Sequence, residues 1–301
     1  MVEHHRLTIT HLGARGDGVA GTEAGPAYIP FAAPGDEVEV SLATAKKGPP
    51  QARLIRVVAA GAGRAAPPCR HYGACGGCAL QHVTDPVYRQ WCVDRIGMAL
   101  KQHGLVAKTI TPPAISPPGS RRRLALKAQR RGRQVMLGFN ERRSHRLVDI
   151  AECPVAAPSL VALFEPLRAL LAGLAGGTWE IQLTDTATGI DMLLSGQGAL
   201  DLASRETLAA FAERQDLAAL QYDEDGFRDP VAIRRAPVMD FDGIAAPLPP
   251  GAFVQATAEG EAALRQAVMD WTADASRMAD LFCGLGTFAL PLARVASLRV
   301  V

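Results

Sequence analysis

The chain has 301 residues, room for two or three domains, and its 48% hydrophobic and 21% charged residues exclude a disordered polymer. A net charge of +2 excludes a uniformly polycationic surface, so a polyanion partner must be held by a local concentration of charge. No apolar run is long enough to cross a bilayer, and MVEHHRLTIT lacks the basic and apolar regions of a signal peptide; no membrane association and a cytoplasmic, thiol-reducing location are expected.

Residues 1–60 read as short strands. HRLTITHLG alternates, GARGDGVAG is a glycine-rich turn, and PAYIPFA, DEVEVSLA and QARLIRVV are β-rich runs separated by Pro, Gly and Asp. That density of strands predicts a small barrel of the OB type. GAGRAAPP (61–68) is a linker into the cysteine-rich run CRHYGACGGC (69–78). DPVYRQWCVDRIGMALKQHG (85–104) has helical spacing and ends at Gly104, and ITPPAISPPGS (110–120) is a Pro-rich connector. RRLALKAQ, QVMLGFN and HRLVDI predict strands, PSLVALFEPLRALLAGL (158–174) a helix, TWEIQLTDTATGIDMLLSG a hairpin and DLASRETLAAFAERQ a helix. Residues 213–229 lean acidic. ALRQAVMDWTAD (263–274) is helical; MADLFCG then predicts an apolar strand ending in Gly-x-Gly, and FALPLARVA opens a helix. Strand, glycine turn and helix make the nucleotide-binding opening of a Rossmann-like sheet. The fold class is therefore α/β multidomain: an OB-like barrel at 1–60, a central mixed α/β domain at 61–250, and the first part of a Rossmann-like domain at 251–301.

The six cysteines are unevenly placed. Cys69, Cys75 and Cys78 follow the pattern Cys-x5-Cys-x2-Cys, and 74 residues separate Cys78 from Cys153 in AECPV. Four thiolates hold either zinc or a 4Fe–4S cluster; three-plus-one spacing with a closing Cys-Pro suits the cluster better, with zinc as the alternative. The gap of five departs from the Cys-x3-Cys-x2-Cys of radical enzymes, so a closed, fully ligated cluster is expected. Cys92, beside Trp91, reads as core, His71 as support for the cysteines, and Cys283 as a packing residue.

Residues 121–146 hold ten Lys/Arg against one acid, Glu141, which marks a surface for a polyanion or an Arg-rich solvated strand pair. Arg121, Arg122, Arg123, Arg142, Arg143, His145 and Arg146 are the RNA-contact candidates. Aromatic residues are only 5%, so base stacking cannot be widespread. In DLFCGLGTFALPLA the third glycine of the dinucleotide fingerprint is missing, which argues against a pyrophosphate cradle and toward S-adenosylmethionine (SAM).

Together, CRHYGACGGCALQH, LGFNERRSHRLVDIAECPV, PPGAFVQA and DLFCGLGTFALPLA, spread between residues 69 and 293, resemble the SAM-dependent RNA (uracil-5-)methyltransferases, and within them the 23S rRNA enzymes that carry a 4Fe–4S cluster. LGARGDGVA and YIPFAAPGDEVEV resemble the TRAM domain. The resemblance implies that Cys69, Cys75, Cys78 and Cys153 ligate the cluster and that Gln255, Phe282, Gly284, Gly286 and Thr287 line the SAM site. It implies methylation of uracil C5 in 23S rRNA through a cysteine adduct at C6, by a monomer. Thr287 and Thr257 stand where many members have Asn. No Ser-Cys-Asn-Pro-like nucleophile motif occurs in the 301 residues, so no catalytic residue is assigned and a C-terminally truncated, inactive chain is expected. The alternatives are a non-catalytic RNA-binding iron–sulfur or zinc module and a tRNA uracil-5 methyltransferase.

Overall fold

The computed structural model describes residues 3–43, 51–196, 198–294 and 299–300. The chain divides into two compact units, Met1–Pro113 and Ala114–Val301. Neither expected boundary, at 60/61 or at 250/251, coincides with this division, which falls in the Pro-rich connector.

The first unit contains β1 (Glu3–Thr8), β2 (His11–Leu12), β3 (Gly18–Thr22), β4 (Gly25–Ile29), β5 (Glu37–Ala43), β6 (Gln51–Ala59) and α1 (Asp85–Gln102). The strands form one sheet in the order β1-β5-β6-β4-β3-β2, antiparallel except for the β4–β6 pair. Period-two alternation buries Val38 and Val40 of β5 against Ile9, Ala20, Ala27 and Ile29. Residues 61–113 belong to this unit because specific bonds tie them to the sheet. The buried Asp36 carboxylate accepts from the Ala33 and Gly61 amides at 2.6 and 3.0 Å and from Arg64, whose Nη2 is 2.6 Å away. Arg64 also donates to the Phe31 carbonyl at 2.8 Å. The backbones touch here: a Cβ on Gly61 would lie 2.2 Å from the Gly35 carbonyl carbon. Trp91 of α1 donates its indole N–H to Gly13 O at 2.8 Å. No residue of α1 is fully buried, and Cys92 is half-buried rather than core.

The second unit is built on β7 (Arg123–Arg131), β8 (Gln134–Asn140), β9 (Leu147–Asp149), α2 (Pro158–Val161), α3 (Phe164–Gly173), β10 (Thr178–Thr186), β11 (Gly189–Ser195), α4 (Leu202–Arg214), β12 (Ala219–Glu224) and β13 (Phe227–Ile233). Seven strands form a sheet in the order β13-β12-β11-β10-β7-β8-β9, in which only β11 and β12 run parallel, joined through α4. Leu124, Leu126, Leu137, Ile181 and Leu183 fill one face, where α3 contributes Phe164, Leu167, Leu170 and Leu171. Three differences from the sequence expectations appear. The helix expected over 158–174 is two helices, interrupted at Ala162 and Leu163. The acidic stretch 213–229 holds β12, the start of β13 and the turn of their hairpin, made by Asp225 and Gly226 at φ 51° and 90°. Of the strand expected at MADLFCG only Met278 is in one, the two-residue Arg277–Met278.

The rest of the unit is β14 (Val238–Asp240), β15 (Ala245–Pro247), α5 (Ala258–Trp271), β16 (Arg277–Met278), α6 (Ala289–Ala293) and β17 (Arg299–Val300). β16 and β17 pair in parallel, as the expected Rossmann-like opening requires. Ser297, Leu298 and Val301 of the expected second strand, SLRVV, lie outside the described residues.

Candidate functional site

The glycine turn between β16 and α6 carries unusual backbone. Phe282, Gly284 and Gly286 all have positive φ, at 62°, 59° and 83°. A left-handed Phe is costly, of order 1 kcal/mol, and ends the strand before DLFCG. Phe282 projects fully into solvent and Leu281 largely so. The two glycines do different work. A Cβ on Gly286 would sit 2.7 Å from Leu290 Cγ, so this position holds the turn against the helix; a Cβ on Gly284 would meet nothing within 4 Å, so Gly284 leaves its backbone open to a ligand. Asp280 Oδ2 is buried and has no hydrogen-bond partner among the described residues. A bare backbone with an orphaned carboxylate oxygen fits a polar small molecule such as SAM. Thr287 is half-buried beside this turn, and Cys283 is exposed, a correction to its expected packing role, because the turn throws its side chain outward.

Gln255 lies on a segment stapled to the start of β7. Arg122 N–H donates to Ala256 O at 2.9 Å, and Arg122 Nε donates to Gln255 O at 3.2 Å. Thr257 caps α5 by accepting from the Gly260 amide at 3.1 Å, and its hydroxyl lies 2.6 Å from Ser116 Oγ. Arg122 Nη2 reaches Glu261 at 2.5 Å, with side chains only 12% and 3% exposed. Arg122 is thus corrected from an RNA contact to an internal ion-pair partner, since Glu261 would otherwise be a buried unpaired charge.

The other basic residues are disposed differently. Arg123 stacks 5.5 Å from the ring centre of the exposed Phe253. Arg121 is exposed just before β7 and donates from Nε to Arg123 O at 3.1 Å. Arg143, in the left-handed region at φ 59°, His145 and Arg146 are exposed in the β8–β9 turn, with Arg142 half-buried there. Arg146 is 2.5 Å from Glu141.

Cys69, Cys75 and Cys78 share one loop of the first unit, and Cys153 belongs to the second. Burial pushes the Cys75 thiol above its ordinary value; the Gly77 N–H, 3.4 Å from Sγ, opposes this, and neighbouring Cys78 and Cys69 reinforce it. The loop geometry, with an amide aimed at sulfur, fits the chemistry of thiolate ligation. Among the described residues, however, no group of three or more His, Cys, Asp or Glu side chains is arranged to hold a metal ion. Two supporting residues were not singled out from the sequence. Tyr72 donates its hydroxyl to Ala79 O at 2.7 Å and lies 2.6 Å from His82 Nδ1, closing the loop end to end. His82 is buried, and burial holds its imidazole below the ordinary range. Their position inside CRHYGACGGCALQH was the available signal.

No family model matches the chain. Curated relatives do. The chain is 38% identical over 298 residues to an uncharacterized RNA methyltransferase of Brucella suis, covering 98% of this chain and 69% of the relative. It is 37% identical over 303 residues to an uncharacterized RNA methyltransferase of Rhizobium meliloti, covering 98% and 71%. It is 33% identical over 295 residues to the 23S rRNA (uracil(1939)-C(5))-methyltransferase RlmD of Shewanella amazonensis, covering 95% and 66%. The matches to the first two run over 98% of this chain and over 69% and 71% of the relatives, and they do not bear out the expected inactivity through truncation. The crystal structure of Pyrococcus abyssi tRNA (uracil-54, C5)-methyltransferase in complex with S-adenosyl-L-homocysteine superposes with a TM-score of 0.70 at 20% identity, over 96% of this chain and 70% of that one, and so shares its fold. With its fold shared and its sequence aligned nearly throughout, the chain belongs to the family of these RNA methyltransferases.

Proposed function

We propose that this chain serves SAM-dependent methylation of uracil C5 in RNA, with 23S rRNA as the substrate. The carrying observation is the glycine turn: Gly284 is bare, Gly286 is locked, and the Asp280 oxygen is buried without a partner. The likeness to the Shewanella amazonensis 23S rRNA enzyme supports the choice of base and RNA. In this reading Gln255, Phe282, Gly284, Gly286 and Thr287 surround SAM, and Arg121, Arg123, Arg142, Arg143, His145 and Arg146 meet RNA. The methyl group passes from the sulfonium sulfur to C5 of a uracil activated by a cysteine adduct at C6, and the C5 proton leaves to a base before elimination. No residue of this chain is assigned as nucleophile or base. The test is incubation with SAM and unmodified 23S rRNA, followed by nucleoside mass spectrometry and calorimetry with S-adenosylhomocysteine. New 5-methyluridine supports the proposal; cofactor binding without methylation of any uridine refutes the reaction, and loss of both refutes the site.

Residues 1–60 are proposed as the TRAM-like RNA-binding part, residues 61–250 as the central RNA-binding part, and residues 251–301 as the opening of the SAM-binding part. Cys69, Cys75, Cys78 and Cys153 are proposed as ligands of a 4Fe–4S cluster, a reading supported by the Cys-x5-Cys-x2-Cys spacing in one loop and by the Gly77 amide on Cys75. Anaerobic purification tests it: a brown protein with iron and labile sulfide is expected, and a colourless one with stoichiometric zinc overturns it.

A further inference from the structure

The face of the seven-stranded sheet opposite α3 is open at one end. Along β7, Leu124, Leu126 and Ala128 are buried, while Lys127, Gln129 and Arg131 project from the other side. The register sets Lys127 opposite Glu180 and Gln129 opposite Thr178 on β10. A cleft of about 600 Å³ opens there, lined among others by Lys127, Arg131, Asn140, His145 and Arg146. Glu180 is the one acid among its lining residues, and it lies 3.0 Å from Lys127 Nζ. The cleft therefore combines three permanent cations, of which Lys127 and Arg146 are paired with Glu180 and Glu141, with amide and hydroxyl groups, a composition suited to phosphates and sugar hydroxyls.

Its position adds information. Arg123, at the other end of β7, shares this face, contacting Gln182 at 3.5 Å and Phe253 beside Gln255. From Arg123 to Arg131 the strand spans about 26 Å at its usual rise per residue. The cleft is thus on the same face as the edge of the proposed cofactor site but remote from it.

We propose that this cleft is a distal RNA-binding surface that grips the sugar–phosphate backbone several nucleotides from the methylated base. The assignment rests on the RNA methylation reading and extends it to a part of the substrate far from the reacting uracil. The Lys127–Glu180 pair opens when a phosphate takes the place of the carboxylate, so binding here is strongly salt-dependent.

The test measures affinity for a structured 23S rRNA fragment against salt concentration, using the full chain, Lys127→Ala/Arg131→Ala, and the control Lys108→Ala/Arg214→Ala, which removes equal charge at exposed positions elsewhere. The cleft variant is expected to bind about tenfold more weakly with a salt slope shallower by about 1.4, from about 0.7 for each lost single-strand phosphate contact. The control is expected to keep nearly the full slope, and both variants to keep their calorimetric affinity for S-adenosylhomocysteine. Equal losses in the two variants, or an unchanged slope in the cleft variant, overturn the cleft while leaving RNA binding intact. Failure of the unaltered protein to bind rRNA overturns the functional reading itself. Competition by polyglutamate as strong as that by RNA assigns the cleft to an acidic polypeptide and also overturns the proposal.

Discussion

Glu261 is a carboxylate nearly out of water, and two guanidiniums make that tolerable: Arg122 at 2.5 Å and Arg265 at 4.0 Å. Arg122→Ala removes the nearer partner and leaves the charge buried, so a loss of about 3–5 kcal/mol is expected in denaturant unfolding. Arg122→Met paired with Glu261→Leu should lose less than the two single changes summed, because no uncompensated charge remains. This role was illegible in RRRLALKAQ, where three adjacent arginines look alike; only the chain returning at Gln255 distinguishes the middle one. Asp191 presents the opposite case. Burial raises its carboxyl to about 6, and the Gln221 amide, 3.4 Å away, offsets this only partly. A carboxyl raised above its unfolded value favours folding while protonated. Stability from this group therefore falls as pH rises from about 4 to about 6 and stays reduced above that. Asp191→Asn should stabilise the protein at pH 7.5 by up to about 3 kcal/mol, with most of the difference gone at pH 4. A pH-independent difference would contradict this account.

At the scale of elements, alternation and capping were readable where they acted locally. β7 and β8 follow the period-two pattern of RRLALKAQ and QVMLGFN, and α4 begins where Asp201 accepts from the Ser204 amide at 2.8 Å. The β12–β13 hairpin is masked in the sequence by its run of acidic residues, although its Asp225-Gly226 turn is a strong hairpin signal in its own right. The break between α2 and α3 is announced by Pro166, which cannot donate to the Ala162 carbonyl and crowds it, and Leu160, Leu163 and Phe164 are buried around the interruption. The glycine turn was legible as a motif, but not the left-handed Phe282 that shortens its strand. Thr257 joins two levels, capping α5 and meeting Ser116 near the start of the unit. Thr257→Ala should cost about 1 kcal/mol in thermal or denaturant unfolding; Thr257→Ser should restore most of it. In α3, Leu167 is wholly buried, and Leu167→Ala should cost about 2–5 kcal/mol.

At the scale of the molecule, the sequence showed which residues carry chemistry more clearly than which segments share a core. The cysteine loop and α1 looked like the start of a central domain, yet Asp36, Arg64 and Trp91 bind them to the first sheet through contacts between residues distant in sequence. Residues 251–294 likewise join the second unit through Arg122. The division at 113/114 predicts that limited trypsin digestion cuts early after the exposed Lys108, releasing fragments that begin at Met1 and Thr109. Survival of that bond after other exposed sites are cleaved would count against the division.

β7 has hydrogen-bonded neighbours on both sides, β10 and β8, so its length is not adjustable. A central strand with fixed registers behaves as a measuring rod: whatever is held at Arg131 stands a set distance from whatever is held at Arg123. A substrate that engages both ends must match that length itself. Inserting or deleting a nucleotide between the two contacts would put it out of step, and the protein has no hinge within the strand with which to absorb the error.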